Sequence, residues 1–459
     1  MSELLTALQS RLSGEVTASA ADLEAMSGDF GRIVRRMPAV VVRPQSVEDV
    51  VAIVNVARSF GASVAVRGGG HSQNAQGLSD GGILIDIRTL AGQIEIDDRD
   101  ETVTCLAGTT WSDLVEFTIS NGLIPPVLTN NLDVTVGGTL SVAGIGVASF
   151  KFAAQVDTCE SLQVVTGAGD VAECSRSCNR ELFDAVRSGL GLCGIITRAT
   201  VRLRRCKPMT RTHYLLYDDL AALLRDERTL MQRGAADYLE STCVPCPQGF
   251  RQGALGMQMF AEWFHPLHVT VEYDGKPPDD TSVVGDLRPY RRPHVSDQPT
   301  ESFARRLTPV FDLWRRIGNW ANAHPWMETI LPWDRAQPFI SQVLANFPPP
   351  ALGGGHILLW PCRGRISDAP LFRTPDSEFV VGFGILPGVP PDLLPQALPR
   401  LALASDMAAA FGGKRYLSGY LGFDRARWEA HFGDRWTWLL DMKRRFDPDG
   451  ILNRGLIPD

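Results

Sequence analysis

The chain has 459 residues, 44% of them hydrophobic and 21% charged, with 52 acidic against 45 basic side chains. At about 150 residues per domain, that length predicts two or three domains with real cores. A formal net charge of −7 without a Lys/Arg block argues against nucleic-acid binding, and no run of 18 apolar residues offers a membrane span.

The opening MSELLTALQSRLSGE has neither a basic lead nor an apolar core of signal-peptide type, so a cytoplasmic location is expected. Residues 30–207 then alternate short strands and helices. A strand is predicted at 39–43, and Ser46 is a good N-cap with Glu48 and Asp49 in the first helical turn. The helix runs on through Arg58 and closes at Gly61. Further strands are expected at 63–67, 83–87 and 102–107, with a helix from near Ser112.

From about 208 to 419 the texture changes. Proline-rich stretches such as Gly275-Lys-Pro-Pro278 separate β-like runs at 356–360 and 378–382, and tryptophans recur at 314, 320, 326, 333 and 360. A second α+β domain is predicted, with an aromatic face suited to a flat, apolar molecule. An amphipathic helix is predicted over 425–445, before a short tail from Phe446. Nine cysteines, an odd count, read as reduced thiols. Cys243-Val-Pro-Cys246 lacks a second pair at zinc spacing, so no metal site is expected.

Three glycine segments carry the functional signal. Arg67-Gly68-Gly69-Gly70-His71-Ser72 lies between two predicted strands, where backbone N–H groups can form a nest for a pyrophosphate. A plain hairpin turn is the alternative. His71 on such a loop can be a nucleophile, a base or a metal ligand, and no second histidine lies nearby to support a metal. The second segment is Thr135-Val-Gly137-Gly138-Thr-Leu-Ser141-Val-Ala-Gly144-Ile-Gly146. The third, Gly189-Leu-Gly191-Leu-Cys-Gly194, matches G-x-G-x-x-G, but a helix precedes it and a strand follows. That order is the reverse of a dinucleotide fingerprint, and the NAD reading fails. Three such loops in one domain imply a single extended ligand.

Together these segments resemble the FAD-linked oxidases of the vanillyl-alcohol oxidase/p-cresol methylhydroxylase (PCMH-type) superfamily. The resemblance also rests on Pro44-x-Ser46-x-x-Asp49-Val50, Ala107-Gly108-x-x-Trp111-x-Asp113-Leu114 and Phe446-Asp-Pro448-x-x-Ile451-Leu452. It implies an α+β chain: a two-subdomain FAD-binding domain over 1–207, completed by 420–459, and a substrate domain over 208–419 built on an antiparallel sheet flanked by helices. It further implies that FAD is held by Arg67, Gly68, Gly69, Gly70, Ser72, Gln76, Thr135, Gly137, Gly138, Ser141, Gly144, Gly146, Gly194, Ile196 and Asn453, with His71 bonded to the flavin 8α carbon.

Within the superfamily the chain is most similar to cytokinin dehydrogenases, through Thr129-Asn-Asn-Leu-Asp-Val-Thr135, Asp237-Tyr-Leu-Glu240, His324-Pro-Trp326 and His431-Phe-Gly-x-x-Trp436. Berberine bridge enzyme-like oxidases form a neighbouring branch that carries a cysteine in the loop matching 129–137. None stands here, so one covalent flavin bond is implied.

One position departs from the family. The general base there is an aspartate, and this chain has Asn130, an amide that cannot take a proton near neutral pH. Asp133 could not substitute without re-aiming the loop, and Glu240 is the other acidic position that the resemblance places near the pocket. Tyr416 and Tyr420 are candidates to orient a substrate. The expected activity is oxidation of an aromatic or heteroaromatic small molecule by hydride transfer to the flavin, with oxygen or another acceptor receiving the electrons and peroxide as the product from oxygen. Cytokinin-type amine oxidation is one alternative, and a flavin-bearing drug-binding or resistance protein is another.

Overall fold

The computed structural model describes residues 2–253, 256–364 and 367–458. Val40–Arg43, Ile83–Asp86 and Val64–Arg67 form a parallel set, with Glu15–Thr17 added antiparallel at one edge. Val40, Val41, Val42, Ile83, Leu84 and Ile85 are fully buried, as parallel strands covered on both faces require. Each such side chain contributes about 1.5–3 kcal/mol relative to exposure. Helix Val47–Phe60 makes the crossover between the first two parallel strands in sequence. Ser46 Oγ accepts the Asp49 N–H at 3.1 Å, and Gly61 ends the helix at φ +63°. The connection through residues 68–82 links parallel neighbours, so it is not a hairpin turn.

A second, antiparallel sheet runs in the order Glu95–Asp97, Thr102–Leu106, Ile195–Arg202, Cys159–Val165, Val171–Ser175. In Ile195–Arg202 the buried Ala199 and Val201 alternate with exposed Arg198 and Arg202, the pattern of a sheet with one wet face.

The largest sheet has eight antiparallel strands, from Arg291–Pro299 at one edge to Lys414–Arg415 at the other. Helices Leu220–Arg233, Trp333–Asn346 and Leu394–Ala410 pack Leu223, Phe339 and Leu401 into one core with Ile357, Leu359 and Phe383. Because side chains alternate along a strand, His356, Leu358 and Trp360 point the other way, into a cavity. Met327 and Glu328 divide in the same manner, core and cavity.

The chain then returns to its first half. Val64 N–H donates to the Ile451 carbonyl and Asn453 N–H to the Val64 carbonyl, both at 2.8 Å, with Ile451 and Leu452 buried in the first core. The helix expected over 425–445 is two helices, Arg425–Phe432 and Trp436–Phe446. Gly433, at φ +56°, stops the first one. Among the described residues, no helix is long and apolar enough to cross a membrane.

Candidate active site

A cavity of about 640 Å³ runs from the glycine loops of the first half to the tryptophan face of the second. At the glycine end, Gly70 has φ +69°, and a Cβ there would sit 2.3 Å from Arg67 Nη2. A Cβ on Gly68 would lie 2.1 Å from Thr135 Oγ1, so the first two glycine loops press on each other as well as line the space. Arg67 is fixed by donating from Nη1 to the Gly28 carbonyl at 2.8 Å. Among the described residues, no hydrogen bond uses the N–H of Gly69 or Gly70. Two backbone donors therefore stand at the cavity edge.

His71 follows directly. Phe30 lies between two imidazoles, its centroid 4.1 Å from that of His71 and 4.1 Å from that of His324. His71 Nε2 is buried without a hydrogen-bond partner among the described residues. Burial, with the nearby His324 and Arg315 charges adding to it, pushes its pKa down to about 4. The ring is neutral at physiological pH and keeps a lone pair for nucleophilic attack.

Across the cavity, three side chains from distant segments close a triangle. Asn130 Nδ2 donates to Glu240 Oε1 at 3.2 Å, Arg306 Nε donates to Glu240 Oε2 at 3.2 Å, and Arg306 Nη2 donates to Asn130 Oδ1 at 2.8 Å. Burial opposes ionisation of Glu240, but the Arg306 charge and these hydrogen bonds prevail and hold its carboxyl below the usual range. Glu240 is therefore a carboxylate in a neutral cluster. A second carboxyl, Glu328, lines the cavity with Oε2 accepting from Ser418 Oγ at 2.7 Å. Burial raises it to about 7 despite Arg415 nearby.

Most of the residues singled out in the sequence meet here. Arg67 to Ser72, Gln76, Thr135, Gly137, Gly138, Ser141, Gly194, Ile196, Asn453, Asn130, Glu240 and Tyr416 line the cavity. Gly144, Gly146 and Tyr420 do not. Gly144 is needed where a Cβ would strike Gln155 Oε1 at 2.0 Å, and Gly146 where it would strike the Leu128 carbonyl at 1.8 Å. Tyr420 contributes backbone, its carbonyl accepting from Arg415 Nη2 at 2.7 Å. Tyr416 receives the Gly144 N–H on its phenol oxygen at 3.0 Å, and burial keeps that phenol neutral. Asp133 is exposed and pairs with Arg315 at 3.4 Å. Of the five tryptophans, Trp314, Trp326 and Trp360 line the cavity, while Trp333 packs against Phe379 in the core. Arg306, Glu328, Ser418, His268 and His356 also line or close the site and had no motif to announce them, although Glu328 stands two residues after His324-Pro-Trp326.

Residues 38–175 match the family described as FAD binding domain, and residues 292–456 match the one described as cytokinin dehydrogenase 1, FAD and cytokinin binding. An uncharacterized oxidoreductase, ORF5 in the fasciation locus of Rhodococcoides fascians, is 33% identical over 94% of this chain and 96% of its own. The chain belongs to the family of FAD-dependent oxidoreductases that includes the cytokinin dehydrogenases. Cytokinin dehydrogenase 6 of Oryza sativa subsp. japonica is 30% identical, with 94% of this chain and 88% of the rice protein covered. Cytokinin dehydrogenase 1 of Arabidopsis thaliana is 28% identical over 95% and 81% of the two chains.

The cavity fits the cofactor of this oxidoreductase family. Among the described residues, the unpaired N–H groups of Gly69 and Gly70 suit a pyrophosphate, close-packed glycines admit a planar ring, and His71, with Nε2 unpaired, lines the same cavity.

Proposed function

We propose that this oxidoreductase binds FAD covalently through His71 and oxidises a flat aromatic or heteroaromatic small molecule, with oxygen as the electron acceptor and peroxide as a product. The observation that carries the reading is the single cavity joining the glycine loops to Trp314, Trp326 and Trp360. In it, the first two glycine loops, Gly194, Ile196 and Asn453 would hold the cofactor. Asn453 is itself steadied by donating to the Leu190 carbonyl at 2.6 Å.

A bound flavin supplies a two-electron acceptor for the hydride leaving the substrate carbon. The protein's share is placement. The tryptophan face excludes water and stacks on a planar substrate, while the Asn130–Glu240–Arg306 triangle presents fixed polar edges. Neutral His71 can form the covalent bond without first losing a proton to solvent.

N6-alkyl adenines, the cytokinin class, are a second reading. It is favoured by the match of residues 292–456 and by the retention of Glu240 in the cavity. The two readings separate in one experiment. Purified protein is made anaerobic and offered hydroxylated aromatics or N6-alkyl adenines, and bleaching of the flavin absorbance is recorded. Bleaching by the first class supports the main reading, and bleaching by adenines alone replaces it with the second. Binding without bleaching by either would identify a sequestering, drug-binding flavoprotein. Denaturing electrophoresis with in-gel fluorescence tests the bond: the wild type should give a flavin band that His71→Ala lacks.

A further inference from the structure

Two carboxyl groups enter the cavity, and they are held in opposite ways. Both oxygens of Glu240 are engaged, one by Asn130 and one by Arg306, which keeps it ionised and leaves it a weak base. Among the described residues, the Glu328 carboxyl accepts one hydrogen bond, from Ser418 Oγ at 2.7 Å, and has no cation bonded to it. Arg415 lies beside it but directs its guanidinium elsewhere: to the Glu328 main-chain carbonyl at 2.8 Å, to Ser405 Oγ at 2.7 Å and to the Tyr420 carbonyl at 2.7 Å. Tyr416, the other titratable neighbour, stays a neutral phenol. The cross-strand partner on the far side is Gly384, which carries no charge.

Glu328 also occupies the seam of the site. Trp326, two residues earlier, has its ring 6.0 Å from that of His71. Gln76, from the segment just after His71, donates from Nε2 to the Leu417 carbonyl at 2.7 Å, next to the Ser418 that holds Glu328. The loop carrying the proposed flavin attachment and the strand carrying Glu328 are thus tied together at one place. Two acids in one pocket whose surroundings drive their protonation apart is the usual arrangement for dividing charge stabilisation from proton transfer.

We infer that Glu328 is the residue that accepts the substrate's proton, the task that Asn130 cannot perform. The inference rests on the oxidative reading proposed above. The substrate carbon loses its hydrogen with the bonding pair as a hydride to the bound flavin. The O–H or N–H on that carbon gives its proton to the Glu328 carboxylate, and a C=O or C=N double bond forms. Two electrons and two hydrogens leave the substrate, and the new Glu328 carboxylic acid then releases its proton to solvent. The carboxylate is the active form, so the rate should rise as pH rises through about 7, where Glu328 ionises.

The test combines a direct reading of the carboxyl with anaerobic kinetics. Infrared difference spectra between pH 5 and 9, taken as wild type minus Glu328→Gln so that the band of Glu227 cancels, should show a buried carboxylic-acid band that fades near pH 7. Flavin reduction by substrate should fall by roughly 10²–10⁴-fold in Glu328→Gln and lose its rise with pH. Glu328→Asp, which keeps a carboxyl, should retain the rise at a reduced rate and guards against a folding defect in the amide variant. Wild-type rates and an unchanged pH profile in Glu328→Gln would overturn the assignment alone. A protein without flavin, or a flavin that neither substrate class bleaches, would overturn the oxidative reading and the assignment together.

Discussion

Asn130 and Glu240 meet at 3.2 Å, the amide donating to a buried carboxylate while its own oxygen accepts from Arg306. The triangle holds one negative and one positive charge. In Asn130→Asp, two carboxyls would share that single guanidinium. Like charges about 4 Å apart repel by ~4 kcal/mol at an effective dielectric of 20, so one of the pair would titrate well above its unfolded value. The folded variant would then hold a proton that the unfolded chain has released, and stability would be lost as pH rises through that raised value. Melting temperatures should coincide with the wild type near pH 4 and fall below it by roughly 2–6 °C at pH 8. Identical melting curves at both pH values would mean that the two positions do not interact.

Arg306 should behave as the keystone of the same cluster. Arg306→Met removes the cation bonded to Glu240 and leaves the buried carboxylate with the Asn130 amide and the neighbouring His268, at a cost of about 3–5 kcal/mol. Adding Glu240→Gln should recover much of that loss, since the uncompensated charge is gone. A double-mutant cycle by urea unfolding measures the coupling, and strict additivity would refute it.

Glu227 makes a prediction about pH with nothing to do with catalysis. It is fully buried, Ser241 Oγ donates to Oε1 at 2.6 Å, Oε2 has no hydrogen-bond partner among the described residues, and burial pushes it up to about 8. Its folded pKa is raised, so the stability present below the unfolded value near 4.5 is lost as pH climbs through 8. Glu227→Gln removes that loss. Relative to the wild type, the variant should gain up to about 1.4 kcal/mol for each pH unit crossed between 5 and 8. Parallel stability–pH curves would contradict this.

Gly70 and Gly61 separate backbone strain from crowding. Both have positive φ, +69° and +63°, but a Cβ at Gly70 strikes the Arg67 guanidinium whereas one at Gly61 meets open space. Gly70→Ala should cost about 1–3 kcal/mol and lower the flavin-to-protein absorbance ratio severalfold. Gly61→Ala should carry only the backbone cost, about 1 kcal/mol, with full loading. Equal loading in both variants would show that the Gly70 turn does not shape the cofactor end.

The sequence exposed what is encoded locally. Ser46 and Gly61 bracket a helix because capping chemistry acts within a turn, and Ile195–Arg202 is the strand expected after the third glycine segment because alternation is a property of neighbours. The glycine segments were readable for the same reason, though the tightness at Gly144 and Gly146 serves Gln155 and Leu128 rather than the cavity. Amphipathic periodicity ran straight through Gly433, hiding the break between two helices. Arg306 could not be found, because it finds Glu240 66 positions away and Asn130 176 away. Glu328 was hidden differently: it sits on an ordinary strand, and only the sheet's pleat decides which way it faces.

The return of residues 451–453 to Val64 also fixes an order of events during synthesis. Val64 begins the strand that leads into Arg67 and the His71 loop, yet its edge is finished only by Ile451 and Asn453. Everything between, including the whole eight-stranded sheet, must leave the ribosome before that edge can be completed. Capture of the cofactor is therefore a late act in the life of the nascent chain. It checks the integrity of nearly the full polypeptide, and a chain broken off before Asp447 would have no finished cleft to load.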